Sequence, residues 1–164
     1  MSNILKNKKI ILTGAAGILG TALAKRYSSM GADIALLDVN EPGLNKLQKS
    51  LVKLKKQKIL SYCLDLTNPD QVVGTVEAIF KEFSGIDVLH NNAATKGKDL
   101  KKFFYSYEDY DPLTWRNIID GNVTSMFLMS QSVGKIMKKQ KKGSIIQTAS
   151  IYGVINPDKK IYKG

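Results

Sequence analysis

Cysteine is nearly absent. Cys63 is the single one, so no disulfide can form within the chain, which fits a reducing compartment. Long apolar runs are missing too. No stretch approaches the roughly 18 uninterrupted apolar residues of a membrane span. The opening MSNILKNKK has no apolar core of the kind a secretory signal carries. The expectation is a cytoplasmic chain without a membrane partner. Proline is sparse, and no low-complexity segment, repeat or linker is visible. The one histidine, His90, has no Cys, Asp or Glu neighbour at ligand spacing, so it reads as a packing residue and no metal is expected. Neither a zinc signature nor a Ser-His-Asp arrangement is present. Cys63, inside an apolar run, reads as a buried thiol, and Trp115, at a helix start, as a packing anchor.

Acidic residues are also in short supply: 14 Asp and Glu face 25 Lys and Arg, a formal charge of +11. The lysines scatter over the polar faces and C-terminal ends of predicted helices, where cations suit the helix dipole. There is no basic stripe interleaved with aromatics. Nucleic acid is therefore not an expected partner.

What is present suffices for one ordinary core: 164 residues, 43% of them hydrophobic. Short apolar runs alternate with helical periodicity. Strands are predicted over 9–12, 34–37, 59–64, 86–89 and 143–148. Between them lie a helix over 18–30 closed by Gly31, one faced by Leu44, Leu47, Leu51 and Leu54, and one opened by Asn68–Pro69 and stopped by Gly85. Val72, Val76, Ile79, Phe80 and Phe83 line the face of the last of these. Asp111–Pro112 opens a long helix to about Lys139, after a loose polar-aromatic loop over 95–111 that is a candidate substrate-facing segment. Alternating strands and helices imply an α/β fold with a doubly wound parallel sheet, the Rossmann fold.

TGAAGILG, residues 13–20, sits between the first strand and first helix. A helix N-terminus offers free N–H groups and positive dipole to a dinucleotide's pyrophosphate, provided no Cβ blocks the approach. In that reading Gly14 permits the tight turn, Gly17 the close approach, and Gly20 the packing of helix on strand. Ile18, at the helix start, joins the candidate cofactor-binding set. Asp38 ends the second strand, eighteen residues past Gly20. An acid there holds ribose hydroxyls and repels a 2′-phosphate, and no cation lies at Ala15, Ala16, Val39 or Asn40, so the expected cofactor is NAD. The plainer alternative for Asp38 is a helix cap.

With these residues the sequence resembles the short-chain dehydrogenase/reductase family. Six segments occur in order: TGAAGILG, Asp38, CLDLTN at 63–68, NNAA at 91–94, WRNIIDGNV at 115–123 and SIIQTASIYG at 144–153. The resemblance covers nearly the whole chain as one NAD(P)-binding Rossmann domain, 1–164, with the C-terminal part of the family fold missing. It implies that Asp65 and Leu66 contact the adenine, that Asn91 steadies the sheet and meets the cofactor, and that Ala93 lies beside the ribose. It also implies that Asn122 bends the long helix and holds a relay water, and that Ser150 bonds the substrate carbonyl, against the plainer reading of a loop cap. The implied reaction is NAD(H)-dependent oxidoreduction of a small alcohol/carbonyl substrate, with hydride transfer at the nicotinamide and a tyrosine moving the proton. The tyrosine's pKa near 10 needs lowering by a lysine in Tyr-x-x-x-Lys. The resemblance also implies a homo-oligomer for the full-length form.

That motif is not met. Tyr152 is followed four residues later by Asn156, and Tyr162 would need a partner at 166. The chain therefore reads as truncated before the pair, which should leave exposed positions among Ile118, Ile119, Met126, Phe127, Val133 and Met137. The Gly-x-x-Gly-x-x-Gly spacing resembles the extended, sugar-nucleotide-acting branch, whereas NNAA and Asn122 match the shorter branch, which we follow. NNAATKGKDL with SIYGV is similar to members in bacterial surface-sugar biosynthesis. The alternatives are an extended-type epimerase or dehydratase and a catalytically inactive NAD-binding module.

Overall fold

Successive apolar residues on a strand point to opposite faces, so Ile10–Ile11–Leu12 can be buried only if both faces of the sheet are covered. They are. In the computed structural model, which describes residues 4–51, 57–97 and 99–155, Ile10, Ile11 and Leu12 are all buried in the central strand. The elements run β1 Lys9–Thr13, α1 Ile18–Ser29, β2 Asp33–Asp38, α2 Glu41–Ser50, β3 Ile59–Cys63 and α3 Pro69–Phe83. They continue with β4 Val88–Asn91, α4 Leu100–Phe103, α5 Pro112–Ile119, α6 Ser125–Gln140 and β5 Ser144–Gln147. The five strands are parallel, in the order β3-β2-β1-β4-β5. The fold is thus the α/β doubly wound sheet expected. Ile11 and Leu89 pack with Val76 and Ile79 of α3 and Met129 and Val133 of α6. Ile10 and Leu12 pack on the other face with Ala24 of α1 and Leu44 and Leu47 of α2.

Local chemistry sets the helix starts. Asn68 Oδ1 accepts the N–H groups of Asp70 and Gln71, with Pro69 following. Asp111 accepts those of Leu113 and Thr114 ahead of α5. Such caps satisfy donors that the helix itself cannot.

Several expectations are corrected. β4 begins two residues late because Ile86 is held by a side chain. Gln140 donates from Nε2 to its carbonyl (2.8 Å) and accepts its N–H at Oε1 (2.9 Å). The long helix is broken by a π-helical turn at Asp120–Thr124, which contains Asn122, the residue at which the resemblance implied a bend. α2 ends at Ser50 with Leu51 extended but buried, and Leu54 lies outside the described residues. Phe80 is exposed, because the buried stripe of α3 is the narrow one of Val72, Val76, Ile79 and Phe83. Cys63 is exposed, since it ends the sheet-edge strand β3. Trp115 is exposed as well and stacks edge-on against Tyr110. The long-helix positions do include an exposed one, Phe127, as expected, whereas Val133 and Met137 are buried. The loop over 95–111 contains the short helix α4.

Candidate functional site

The strand order reverses at β1: the chain goes outward to β2 and β3, then returns to the other side of β1 as β4. The loops leaving β1 and β4 at their C-terminal ends lead to helices on opposite faces of the sheet, and such a switch point is where open α/β sheets bind ligands. A cleft of about 1010 Å³ occupies this place.

Its floor is built by the glycine loop and the NNAA segment in contact. Gly14 has φ +64°, and a Cβ on it would lie 2.7 Å from Ala93 Cα. Glycine is therefore required twice, by conformation and by the approach of the second loop. A Cβ on Gly20 would fall 2.0 Å from the Gly14 carbonyl oxygen, so this glycine lets the helix fold back on its own loop rather than on a strand. Gly17 is the α1 N-cap. It offers no side-chain acceptor, and the first turn carries no acid, so the positive helix end is left open to an anion.

Thr13 fastens the two loops. Its hydroxyl oxygen accepts the N–H groups of Asn92 (2.9 Å) and Ala93 (3.0 Å), and Asn92 Nδ2 donates back to the Thr13 carbonyl at 3.2 Å. Neither Thr13 nor Asn92 stood out in the sequence. The signal available was a hydroxyl residue directly before the first glycine and the second asparagine of the pair.

Asp38 stands at the end of β2 with both carboxylate oxygens engaged. Oδ2 accepts Ala16 N–H at 2.9 Å and Oδ1 accepts Asn40 N–H at 3.0 Å. A carboxylate has about four acceptor directions, so each oxygen keeps one free. Asp65 Oδ1 accepts both the N–H and the hydroxyl of Thr67, leaving its other oxygen for the cleft. Gly14, Gly17, Ile18, Gly20, Asp38, Asp65, Leu66 and Ala93 all line this one cleft. Ile18 projects almost fully into solvent at its edge.

The other three candidates lie elsewhere. Asn91 is buried beneath the cleft, and its Nδ2 donates to Ser130 Oγ (3.0 Å) and Gln147 Oε1 (3.1 Å), joining β4 to α6 and β5. Its Oδ1 is buried with no hydrogen-bond partner. Asn122, in the π turn, clamps the backbone of Thr95: Oδ1 accepts Thr95 N–H at 2.6 Å and Nδ2 donates to Thr95 O at 2.9 Å. Ser150 accepts Tyr152 N–H at 3.2 Å, the capping arrangement, and is not among the cleft-lining residues. Tyr162 falls outside the described residues, and Tyr152 is exposed.

At the cleft's inner end Thr148 meets His90. Tyr27 O–H and His90 Nδ1 are 2.8 Å apart, and His90 Nε2 and Thr148 Oγ1 are 3.0 Å apart. Burial holds the imidazole below its ordinary pKa and pushes the Tyr27 phenol up, favouring the neutral form of each. At the opposite wall Asp111 is held below the usual carboxylate range, chiefly by the Thr114 hydroxyl. Among the described residues no three metal-ligating side chains come together.

A family model described as short chain dehydrogenase matches residues 8–162. Post-translational flagellin modification protein A of Campylobacter coli is 32% identical over 160 residues, covering 98% of this chain and 62% of that protein. A 3alpha-hydroxysteroid dehydrogenase of Mediterraneibacter gnavus is 32% identical over 94% of this chain and 60% of its own length. The crystal structure of an NAD+-bound xylitol dehydrogenase superposes with a TM-score of 0.85 at 36% identity, covering 94% of this chain and 57% of that one. The chain thus spans about three-fifths of the length of these relatives.

Proposed function

Because the chain belongs to the short chain dehydrogenase family, and its relatives include a hydroxysteroid dehydrogenase and a xylitol dehydrogenase, we propose that it binds NAD(H) and serves oxidoreduction of a small alcohol/carbonyl substrate. The observation that carries this reading is Asp38. Asp38 lines the cleft, and each of its two oxygens accepts one bond and keeps one acceptor direction free, the number that the two hydroxyls of an unphosphorylated ribose require. A 2′-phosphate brings no donor and adds repulsion. Among the described cleft-lining residues Lys102 is the only cation, and it sits near Asp111 at the far wall.

The cradle fits the group. Gly14 and Gly20 let the loop close on the Ala93 segment and on itself, and the bare Gly17 at the open N-terminus of α1 suits a pyrophosphate. When bound, NAD(H) supplies hydride chemistry at its nicotinamide ring. The chain's own residues do the holding: Thr13 and Asn92 fix the loops, Asp38 orients a ribose, and Asp65 with Leu66 offers an acceptor and an apolar wall to a base. Thr148 places a hydroxyl at the inner end of the cleft. The proton-transferring roles carried over by the family resemblance would fall near Asn122 and Ser150.

A finer reading, surface-sugar biosynthesis, draws support from the NNAATKGKDL and SIYGV segments and from the name of the flagellin-modification relative. The test of the cofactor reading is a fluorescence titration with NADH and with NADPH. NADH should bind at least about tenfold more tightly, the effect of roughly one charged hydrogen bond. Equal binding, or preference for NADPH, would sink it.

A further inference from the structure

Asp38 is held by residues outside the glycine motif. Asn40, whose N–H is bonded to Asp38 Oδ1, also caps α2 by accepting Gly43 N–H at Oδ1 (3.0 Å). Gly43 faces back onto the glycine loop. A Cβ placed on it would lie 2.9 Å from Ala16 Cβ and 2.7 Å from Asn40 Nδ2. Ala16 donates its N–H to Asp38 Oδ2, so the contacts close on themselves: Ala16, Asp38, Asn40, Gly43 and Ala16 again. The glycine loop, the end of β2 and the start of α2 are thereby one unit. Ala16, Asp38 and Asn40 border the cleft, whereas Gly43 does not.

We propose that Asn40 and Gly43 are positioning residues for dinucleotide selectivity, holding the Asp38 carboxylate through this closed ring so that it distinguishes a free ribose diol from a 2′-phosphate ester. The proposal rests on the NAD(H) reading above. An acceptor fixed before binding loses little freedom when the diol arrives. It also cannot turn away from a phosphate, so the repulsion is felt in full. Removing the Asn40 side chain unties the first turn of α2. Adding a methyl group at Gly43 forces Ala16 to shift, because the Ala16 Cβ cannot move without its backbone, and the Ala16 N–H then leaves Asp38. Asp38 is unchanged in sequence in both cases, but one side of the ring that holds its carboxylate is loosened: the Asn40 backbone N–H in the first, the Ala16 N–H in the second.

The experiment titrates NADH and NADPH against the full chain and its Asn40→Ala, Gly43→Ala and Asn40→Ser variants. In the first two, NADH affinity should fall roughly five- to tenfold while NADPH changes little, so the selectivity ratio falls by a similar factor. Asn40→Ser keeps a capping oxygen and should restore the ratio to within about twofold. A merely structural role would weaken both dinucleotides alike, and an unchanged ratio would overturn the proposal while leaving the NAD(H) reading intact. An unmodified chain without preference for NADH overturns both. Amide exchange on the unmodified chain gives a check independent of how the variants fold. The Ala16 N–H should be protected before any dinucleotide is added. Free exchange there would show that the ring does not hold Asp38.

Discussion

His90 shows how one side chain reads differently once its partners are known. As a lone histidine it is a packing residue, and it is indeed buried, but both ring nitrogens are engaged, with Tyr27 on one side and Thr148 on the other. Because burial disfavours its cation, the folded chain binds fewer protons at this site than the unfolded chain does. Stability contributed by neutral His90 is complete above the unfolded pKa of about 6.5 and is lost as pH falls below it toward the lowered folded value. The chain has no other histidine, so this window is diagnostic. Thermal denaturation followed from about pH 8 to about pH 5 should show a falling midpoint below about 6.5, and His90→Asn should flatten the decline. An equal slope in the variant would place the pH dependence elsewhere.

At the scale of elements, the π turn between α5 and α6 is the main departure from a regular helix. Such turns insert an extra residue and are held by specific contacts. Here the contacts are the Asn122 clamp on Thr95 and the bare Gly121, where a Cβ would lie 2.5 Å from Thr95 Cγ2. The helix and the loop after β4 therefore brace each other across the cleft's outer wall. Asn122→Ala removes two hydrogen bonds to backbone in a partly exposed place, and should cost about 1–2 kcal/mol. Urea denaturation measures this directly. A loss near zero would mean that water replaces the clamp at no cost.

For the whole molecule, charge and apolar surface are unevenly placed. The net charge is +11, yet among the described residues the cleft is lined by Asp38, Asp65, Asp99, Asp111 and Asp120, with Lys102 the only cation. Among the described residues the cationic excess therefore lies away from the cleft. On the β5 side, Ile145 and Ile146 are 40% and 41% exposed although they sit on opposite faces of one strand, and Val123 and Phe127 of the adjoining helices are more than half exposed. Apolar surface of this kind promotes association in water. The 164-residue chain should show concentration-dependent self-association by light scattering, reduced by Ile146→Lys together with Phe127→Lys. A monomer at all concentrations would contradict this.

The sequence by itself determined the layered fold and most of the cleft. Hydrophobic periodicity and capping residues are local signals, and Gly14, Gly17, Gly20 and Asp38 mark their place by spacing along the chain. Tertiary structure decided what depends on distant backbone. It turned Gly20 from a strand-packing glycine into one required by the Gly14 carbonyl. It exposed Cys63, because only the sheet order makes β3 an edge. It brought Thr13 to Asn92 and Gly43 to Ala16, pairs separated by 79 and 27 residues with no mutual signature in the sequence. The physical reason is common to all of these. A periodic pattern records which face of an element is buried, but a hydrogen bond between loops, or a missing Cβ between two backbones, exists only after the strands have taken their order.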